Sequence, residues 1–173
     1  LVVTLSWIVF SLFGTLPFTF SGYIPNFTNA YFENMSGFTT TGATILDNVE
    51  ALPHALLFWR SITQWIGGLG IVFFTVALLP SMVGGSVKVF AAEATGPIKT
   101  KLAPKLSTSA KWILSVYLVL TVACMGSYMF FGMNWFDALN YAMTSTATGG
   151  FSTHNSSTEF FHSPAIEYMC TLF

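Results

Sequence analysis

The fold is decided by the run FTTTGAT at residues 38–44, which is too polar to cross a bilayer and too poor in charge to be an ordinary exposed loop. Apolar segments long enough to span a membrane flank this run. A related run, STATGGFST, recurs at residues 145–153 in the same setting. The two runs predict re-entrant backbone at membrane depth, with the rest of the chain as its scaffold.

The composition indicates an integral membrane protein. Of the 173 residues, 53% are hydrophobic and only 8% are charged, whereas soluble domains carry about a quarter charged residues. The net charge of -1 gives no indication of a nucleic-acid partner. Cys124 and Cys170 lie in apolar segments without metal-ligand spacing, so packing roles are expected. The first residue already lies in an apolar run, which predicts no intact signal peptide and a chain that is part of a longer protein.

The apolar segments predict three membrane spans and the beginning of a fourth. The spans are expected at residues 1–20, 53–79 and 111–132, and a further apolar segment begins at Pro164. Gly14 and Pro17 predict a bend in the first span. Residues 29–36 and 137–144 have room for only about two helical turns each, which is too short to cross a bilayer. A short helix before a Thr/Gly turn is expected of a pore helix, because its C-terminal dipole end favours a cation.

The hydrophilic connection at residues 81–110 predicts the topology. It holds or adjoins five of the six basic residues, which are Lys88, Lys99, Lys101, Lys105 and Lys111. The positive-inside rule therefore places this linker in the cytoplasm and both Thr/Gly runs on the extracellular or periplasmic side. The pair Gly84 and Gly85, together with Pro97 and Pro104, argues against one continuous helix there. The linker either contacts anionic lipid or a regulatory subunit, or serves as a topology signal only.

Most acidic residues are expected on the opposite, outer side of the membrane. They are Glu33, Asp47, Glu50, Asp137, Glu159 and Glu167. Such a surface would raise the local concentration of cations, although a solvated acidic surface without that role is the alternative. The three histidines, His54, His154 and His162, fall outside the spans and are expected to be solvated loop residues.

The segment at residues 53–79 contains polar and small side chains. Arg60 and Gln64 are one helical turn apart on the same face. Arg60 is expected either to reach the membrane interface with its long side chain or to pair with the re-entrant loop. The glycines Gly67, Gly68 and Gly70 predict close approach of neighbouring helices.

The two Thr/Gly runs indicate an internal repeat. Sliding Gly42 onto Gly149 also aligns Thr39 with Thr146 and Thr41 with Thr148. The order of elements recurs as well, as a span, a short helix, a Thr/Gly turn, a polar loop and a span. This order predicts parallel repeats at residues 1–80 and 111–173, the second truncated in its last helix and the linker at 81–110 between them.

The residue types point to an ion path. Backbone carbonyls aimed at an axis can replace the hydration shell of a cation. Glycine permits the positive φ angles that such a turn requires. Neutral oxygens suit alkali cations. The sequence contains no cluster of His and Cys that would indicate a transition-metal site. The alternative is that each run is merely a Thr-rich turn that packs helices.

With these residues and the run WIGGLGI at residues 65–71, nearly the whole chain resembles the Trk/Ktr/HKT superfamily of potassium transporters, and within it the bacterial TrkH type. The resemblance implies an all-α, potassium-channel-like membrane protein with re-entrant pore helices and filter loops. It implies four membrane-pore-membrane repeats around one path for K+ in a single polypeptide of the cell inner membrane. A homodimer and a cytosolic nucleotide-binding regulatory subunit of TrkA type are also implied.

The resemblance also implies which residues face the ion. Mainly through their backbone carbonyls, Thr40, Thr41, Gly42 and Ala43 would line one quarter of the filter, and Ala147, Thr148, Gly149 and Gly150 another. Two quarters cannot close a four-sided filter, so the remaining repeats of the same polypeptide are expected to complete it. The TVGYG run of ordinary potassium channels is absent from the sequence, which predicts fewer ion sites and looser selectivity.

Two other classes of function compete with ion uptake. One is a non-conducting membrane scaffold or assembly subunit whose Thr/Gly turns only pack helices. The other is a membrane enzyme, which is disfavoured because the sequence contains no HExxH, GxSxG or Walker motif.

Overall fold

A computed structural model describes residues 2–93 and 106–173 of the chain, and it describes side chains at residues 4–73 and 110–173. All regular structure in these residues is helical. The α-helices are α1 (Val2–Gly14), α2 (Leu16–Ser21), α3 (Phe27–Phe38), α4 (His54–Glu93), α5 (Leu106–Phe130), α6 (Trp135–Thr146) and α7 (Pro164–Leu172). Two 3₁₀ turns lie at Val49–Ala51 and Ser157–Phe161.

Within the described residues, three stretches are long and apolar enough to cross a membrane, namely Thr4–Ser21, His54–Phe73 and Ala110–Phe130. They coincide with the three spans expected from the sequence. Helix α4 continues through Gly84 and Gly85 to Glu93, so these two glycines do not interrupt it, whereas Pro97 and Pro104 lie outside the described residues. A glycine in a helix interior costs only about 1 kcal/mol relative to alanine, which is too little to end a long helix. The expected linker residues Lys99, Lys101 and Lys105 lie outside the described residues.

The bend predicted in the first span is a break between α1 and α2. Helix α1 ends at Gly14, and α2 begins at Leu16 with Pro17 in its first turn, where the missing N–H of proline costs no helical hydrogen bond. The carbonyl of Gly14 accepts a hydrogen bond from Trp59 Nε1 at 2.9 Å. The break is therefore compensated by a side chain of α4.

The two short helices, α3 and α6, are each 12 residues long. A helix of that length measures about 18 Å and cannot cross a hydrocarbon core of about 30 Å. Each begins after an asparagine N-cap: the side chain of Asn26 accepts from the N–H of Thr28 at 2.9 Å, and that of Asn134 accepts from the N–H of Asp137 at 2.9 Å. These caps start both helices earlier than the sequence reading placed them.

Helix α4 occupies the centre of the fold and packs against α3, α5 and α6. One buried cluster, which includes Phe18, Ile24 and Leu56, joins α2, α3 and the start of α4. A second cluster, which includes Cys124, Tyr128, Ala138 and Ile166, joins α5, α6 and α7. Cys124 is fully buried and Cys170 packs beside it, and both thiols are free. The packing roles expected for the two cysteines agree with this arrangement.

Small residues of α4 bring its backbone close to the ends of both short helices. A Cβ on Gly67 would overlap the carbonyl oxygen of Phe38, the last residue of α3. A Cβ on Gly68 would lie 3.0 Å from the Cα of Ala147, just after α6. The expectation of close helix approach at these glycines is confirmed.

Replacing Gly67 with alanine is expected to lower the free energy of unfolding by about 1–3 kcal/mol, because the new methyl group must displace backbone at the end of α3. The matched control is Gly126→Ala in α5, where a Cβ meets nothing within 4 Å. That variant is expected to be neutral or more stable by up to about 1 kcal/mol, from helix propensity alone. Thermal unfolding of the full-length protein in detergent measures both, and equal stability of the two variants would contradict this packing.

Candidate functional site

The loops that follow α3 and α6, here called loop 1 (residues 39–45) and loop 2 (residues 147–153), have the same backbone conformation. In loop 1, Thr40 has φ of 54° and Gly42 has φ of 76°. In loop 2, Thr148 has φ of 53° and Gly150 has φ of 81°. Positive φ is uncommon for threonine and costs about 1–2 kcal/mol. Its recurrence at equivalent positions indicates that both loops are built for the same purpose.

The same hydrogen bonds end both short helices. The N–H of Thr40 donates to the carbonyl of Gly37 at 3.0 Å, and that of Thr41 donates to the carbonyl of Ser36 at 3.0 Å. In the second copy, the N–H groups of Thr148 and Gly149 donate to the carbonyls of Ser145 and Thr144, each at 2.9 Å. This is a Schellman motif in which threonine stands where glycine is usual.

The structure corrects the register of the repeat by one residue. The matching backbone angles pair Thr40 with Thr148 and Gly42 with Gly150. The helix caps follow the same register, since Asn26 pairs with Asn134. Sliding Gly42 onto Gly149 was therefore wrong. Of the four threonines in the identities that supported it, only Thr148 has the left-handed conformation, and its counterpart with that conformation is Thr40 and not Thr41.

The eight predicted site residues all lie in the two loops. Thr41 and Ala43 in loop 1 and Thr148 and Gly150 in loop 2 are exposed, Thr40 and Gly42 are half-buried, and Ala147 and Gly149 are buried. The loops touch, because a Cβ on Gly42 would overlap the carbonyl oxygen of Gly149. Ala147 is the C-cap of α6 and corresponds to Thr39. One side of the paired loops is thus packed together and the other is open.

A buried ion pair holds loop 1 from behind. Arg60 Nε on α4 donates to Glu33 Oε1 on α3 at 2.8 Å, and the two side chains are 2% and 0% exposed. The Glu33 carboxylate also accepts from Thr44 Oγ1 at 2.9 Å and from the N–H of Ile45 at 3.1 Å. Of the two alternatives for Arg60, contact with the Thr/Gly loop is thus confirmed, and an extended side chain that reaches the membrane interface was wrong. The expectation that Glu33 lies on the outer acidic surface was also wrong.

Helix α4 holds loop 2 through two side chains. Arg60 Nη1 donates to the carbonyl of Ser152 at 3.1 Å, and its guanidinium lies 4.1 Å from the centre of the Phe151 ring. One turn further on, Gln64 Oε1 accepts from the N–H of Phe151 at 3.1 Å. A Cβ on Gly149 would overlap the Gln64 amide. The shared face of Arg60 and Gln64 therefore points at the loops.

Replacing Gln64 with leucine is expected to destabilise the protein by about 1–3 kcal/mol, because the buried N–H of Phe151 loses its acceptor. Thr63→Val is the matched control, since the Thr63 hydroxyl only bonds within α4, to the carbonyl of Arg60 at 2.7 Å. Its loss is expected to cost less than about 1 kcal/mol. Denaturation midpoints of the purified full-length protein measure the difference, and a control as damaged as Gln64→Leu would argue against a specific support of loop 2.

A second polar cluster joins His154, the residue after loop 2, to Glu50 in the first 3₁₀ turn and to Asp137 in α6. His154 Nε2 lies 3.2 Å from Asp137 Oδ2, and His154 Nδ1 lies 3.3 Å from Glu50 Oε1. The His154 ring stacks on Phe160 at 3.6 Å between ring centres. The prediction of a solvated His154 was therefore wrong. His162 is exposed as expected, and His54 is exposed too but is the first residue of α4 and not a loop residue. Asp137 is buried and accepts a hydrogen bond from Thr153 Oγ1 at 2.7 Å. The expectation that Asp137 lies on an exposed acidic surface was therefore also wrong.

A cavity of about 970 Å³ opens beside this cluster. It is lined by the start of α4 and of α6, including Phe58, Trp135 and Phe136, and by His154 at the end of loop 2. Glu50, which is half exposed, forms part of its polar edge. The cavity borders loop 2 at Thr153, and its lining includes no residue of loop 1.

The loops offer neutral oxygens as ligands. None of their side chains is ionisable, since besides glycine the loops contain only threonine, serine, alanine, isoleucine and phenylalanine, and the Arg60 charge behind them is balanced by Glu33. In the part of the chain that the structure describes, no three His, Cys, Asp or Glu side chains form a group that could hold a metal ion. Behind loop 2, burial raises the pKa of Tyr141 to about 12, so this phenol is uncharged at neutral pH. Backbone carbonyls and hydroxyls suit an alkali cation.

Sequence reasoning missed the roles of Glu33, Thr44, Phe151 and Ser152. Their contacts join residues that are far apart in the chain, so no local pattern reveals them. A weaker signal was present in the sequence, because Asn26 and Asn134 stand at the same distance before Gly42 and Gly150. Aligning on those asparagine caps would have given the correct register.

Comparisons with known proteins agree with this geometry. The model of the TrkH family, described as a cation transport protein, matches residues 1–173. The chain is 45% identical to the Trk system potassium uptake protein TrkH of Halomonas elongata and 44% identical to that of Escherichia coli K12. Both matches cover 100% of this chain but 36% of the relative, so the chain spans about a third of their length.

A solved structure is similar over the same region. The crystal structure of the potassium transporter TrkH from Vibrio parahaemolyticus matches 98% of this chain and 33% of its own, with a TM-score of 0.82 and 38% sequence identity. The resemblance inferred from the Thr/Gly runs is thereby confirmed. The chain belongs to the TrkH family of cation transport proteins.

Proposed function

We propose that the chain supplies two walls of a filter through which a membrane transporter takes up K+. The observation that carries the proposal is the pair of loops with the same left-handed backbone, each behind a helix too short to span, in contact at Gly42 and Gly149. The names of the relatives, which are potassium uptake proteins, support the choice of ion. In this proposal α3 and α6 are re-entrant pore helices of parallel membrane-pore-membrane repeats.

The ion would be held mainly by backbone carbonyls. Those of Thr40, Thr41, Gly42 and Ala43 form one wall, and those of Ala147, Thr148, Gly149 and Gly150 form the other. In the corrected register Ala147 lies level with Thr39, at the helix end of loop 2. The exposed residues of both loops face the open side, where the remaining repeats of the same polypeptide would complete the ring.

Electrostatics favour a monovalent cation at this place. Both short helices end at the loops. The helix dipole places about half a negative charge at the C-terminal end of each helix, next to its loop. The Schellman bonds occupy the last helix carbonyls, which leaves the loop carbonyls to replace water around the ion. Because these oxygens are neutral, K+ can leave as readily as it enters.

The remaining parts of the proposal concern placement and partners. The protein would be a multi-pass protein of the cell inner membrane, with the loops on the extracellular or periplasmic side and the linker at residues 81–110 in the cytoplasm. That linker would separate the repeats at residues 1–80 and 111–173. A homodimer and a nucleotide-binding regulatory subunit of TrkA type would complete the assembly.

Rubidium uptake by cells without other potassium import tests the proposal. Expression of the full-length reading frame that contains this chain is expected to restore uptake and growth at low external K+. A non-conducting scaffold predicts no uptake at any expression level. Correct membrane insertion, measured on the same cells with a tagged protein, shows that a negative result is not a failure of expression.

A further inference from the structure

Arg60 is the side chain of α4 that contacts groups from both loops. Its Nη1 donates to the carbonyl of Ser152 in loop 2 at 3.1 Å, and its Nη2 lies 3.5 Å from Thr44 Oγ1 in loop 1. The guanidinium is planar, so the directions of these contacts are fixed relative to one another. The Glu33 carboxylate, which accepts from Nε, fixes the plane of the group.

The contacted groups adjoin the proposed ion-binding carbonyls. Thr44 directly follows Ala43, and Phe151 and Ser152 directly follow Gly150. A shift of the guanidinium would therefore move the outer ends of both carbonyl runs. The selectivity of such a filter depends on how many carbonyl oxygens surround the ion and on how they are placed.

We propose that Arg60 is a positioning residue that sets the spacing of the two filter walls and thereby the preference for K+ over Na+. The proposal rests on the proposed function, because it concerns the same loops. Lysine at this position keeps the charge and can pair with Glu33, but it lacks the planar group that reaches Ser152 at the same time. A residue that served only to stabilise the fold would tolerate lysine without any change in selectivity.

The test compares uptake of K+ and Na+ by the full-length protein in cells without other potassium import. Arg60→Lys is expected to lower the ratio of K+ to Na+ uptake about tenfold, which corresponds to the loss of one hydrogen bond to a charged group. Thr44→Val, which removes the hydroxyl between Glu33 and Arg60 in an exposed residue, is expected to shift the ratio in the same direction. The control is Trp59→Phe, which breaks only the bond to the Gly14 carbonyl and is expected to keep the wild-type ratio.

The outcomes separate the two proposals. A wild-type protein without rubidium uptake contradicts the filter itself before any variant is compared. If uptake is present and both variants keep the wild-type ratio, whatever their rate or abundance, Arg60 is a fold anchor and the positioning role is wrong. If Arg60→Lys does not yield folded protein, the ratio in Thr44→Val decides the question alone.

Discussion

Replacing Gly42 with alanine is expected to reduce rubidium uptake about a hundredfold. Gly42 has φ of 76°, and a Cβ at this position would overlap the carbonyl oxygen of Gly149. The left-handed conformation costs about 1–2 kcal/mol for alanine, and displacing the neighbouring backbone costs about 1–3 kcal/mol. A combined cost of about 3 kcal/mol equals a factor of about one hundred. Because the displaced group is a proposed ion ligand, the cost falls on the conducting state.

The matched control is Gly22→Ala. Gly22 has nearly the same backbone angle, with φ of 75°, but a Cβ there meets nothing within 4 Å. It follows α2 and lies outside both loops. This control isolates backbone strain from the collision at Gly149. Strain alone, at about 1–2 kcal/mol, limits the expected loss of uptake to about five- to thirtyfold, which is smaller than the loss expected for Gly42→Ala. Equal uptake in the two variants would show that contact between the loops is unimportant for conduction.

Replacing Glu33 with alanine is expected to lower the free energy of unfolding by about 3–5 kcal/mol, because it leaves the Arg60 charge buried without its partner. The donors on Thr44 and Ile45 lose their acceptor as well. The measurement is chemical or thermal unfolding of the full-length protein in detergent. The stability of the whole fold is expected to fall, and not only the order of the filter loops, because Glu33 and Arg60 join α3 to α4.

The control for this prediction is Glu50→Ala. Glu50 also pairs with a basic side chain, His154, but its own side chain is 46% exposed. An exposed pair contributes at most about 1 kcal/mol. A second comparison uses the double variant Glu33→Leu with Arg60→Met, which removes both charges and is expected to be more stable than Glu33→Ala. A Glu33→Ala protein as stable as Glu50→Ala would contradict a buried and desolvated pair.

The spans and the short helices were predictable because they follow from local properties. Hydropathy and length decide whether a segment can cross a bilayer, and α3 and α6 are too short in any register. Their ends were misjudged because the caps at Asn26 and Asn134 lie outside the apolar pattern that was counted. The continuation of α4 past Gly84 was missed because glycine weakens a helix without ending it.

The supports of the loops were less predictable, because they depend on tertiary contacts. From the sequence, Glu33 is expected to be an exposed acid. In the fold, α4 places Arg60 Nε 2.8 Å from Glu33 Oε1, and the pair is buried. From the sequence, His154 is expected to be a solvated loop residue. In the fold it contacts Glu50 and Asp137, which belong to two different elements. The register of the repeat depends on which residues have positive φ angles. Two similar Thr-rich runs can be aligned with a shift of one residue, so their sequences do not decide which residues these are. The glycine at the left-handed position of loop 2 is Gly150, where sequence identity had favoured Gly149.

The most direct test of the filter is the location of the ion. Crystals of the full-length protein grown in rubidium should show an anomalous difference peak on the open side of loop 1 and loop 2, beside the carbonyls of Gly42 and of residues 148–150. Exchange of rubidium for sodium should weaken or remove it. A filter of the kind proposed here predicts a dehydrated ion at that point. Well-ordered loops with no peak on their open side, or with a peak only beside exposed carboxylates such as Glu50, would contradict the proposed filter.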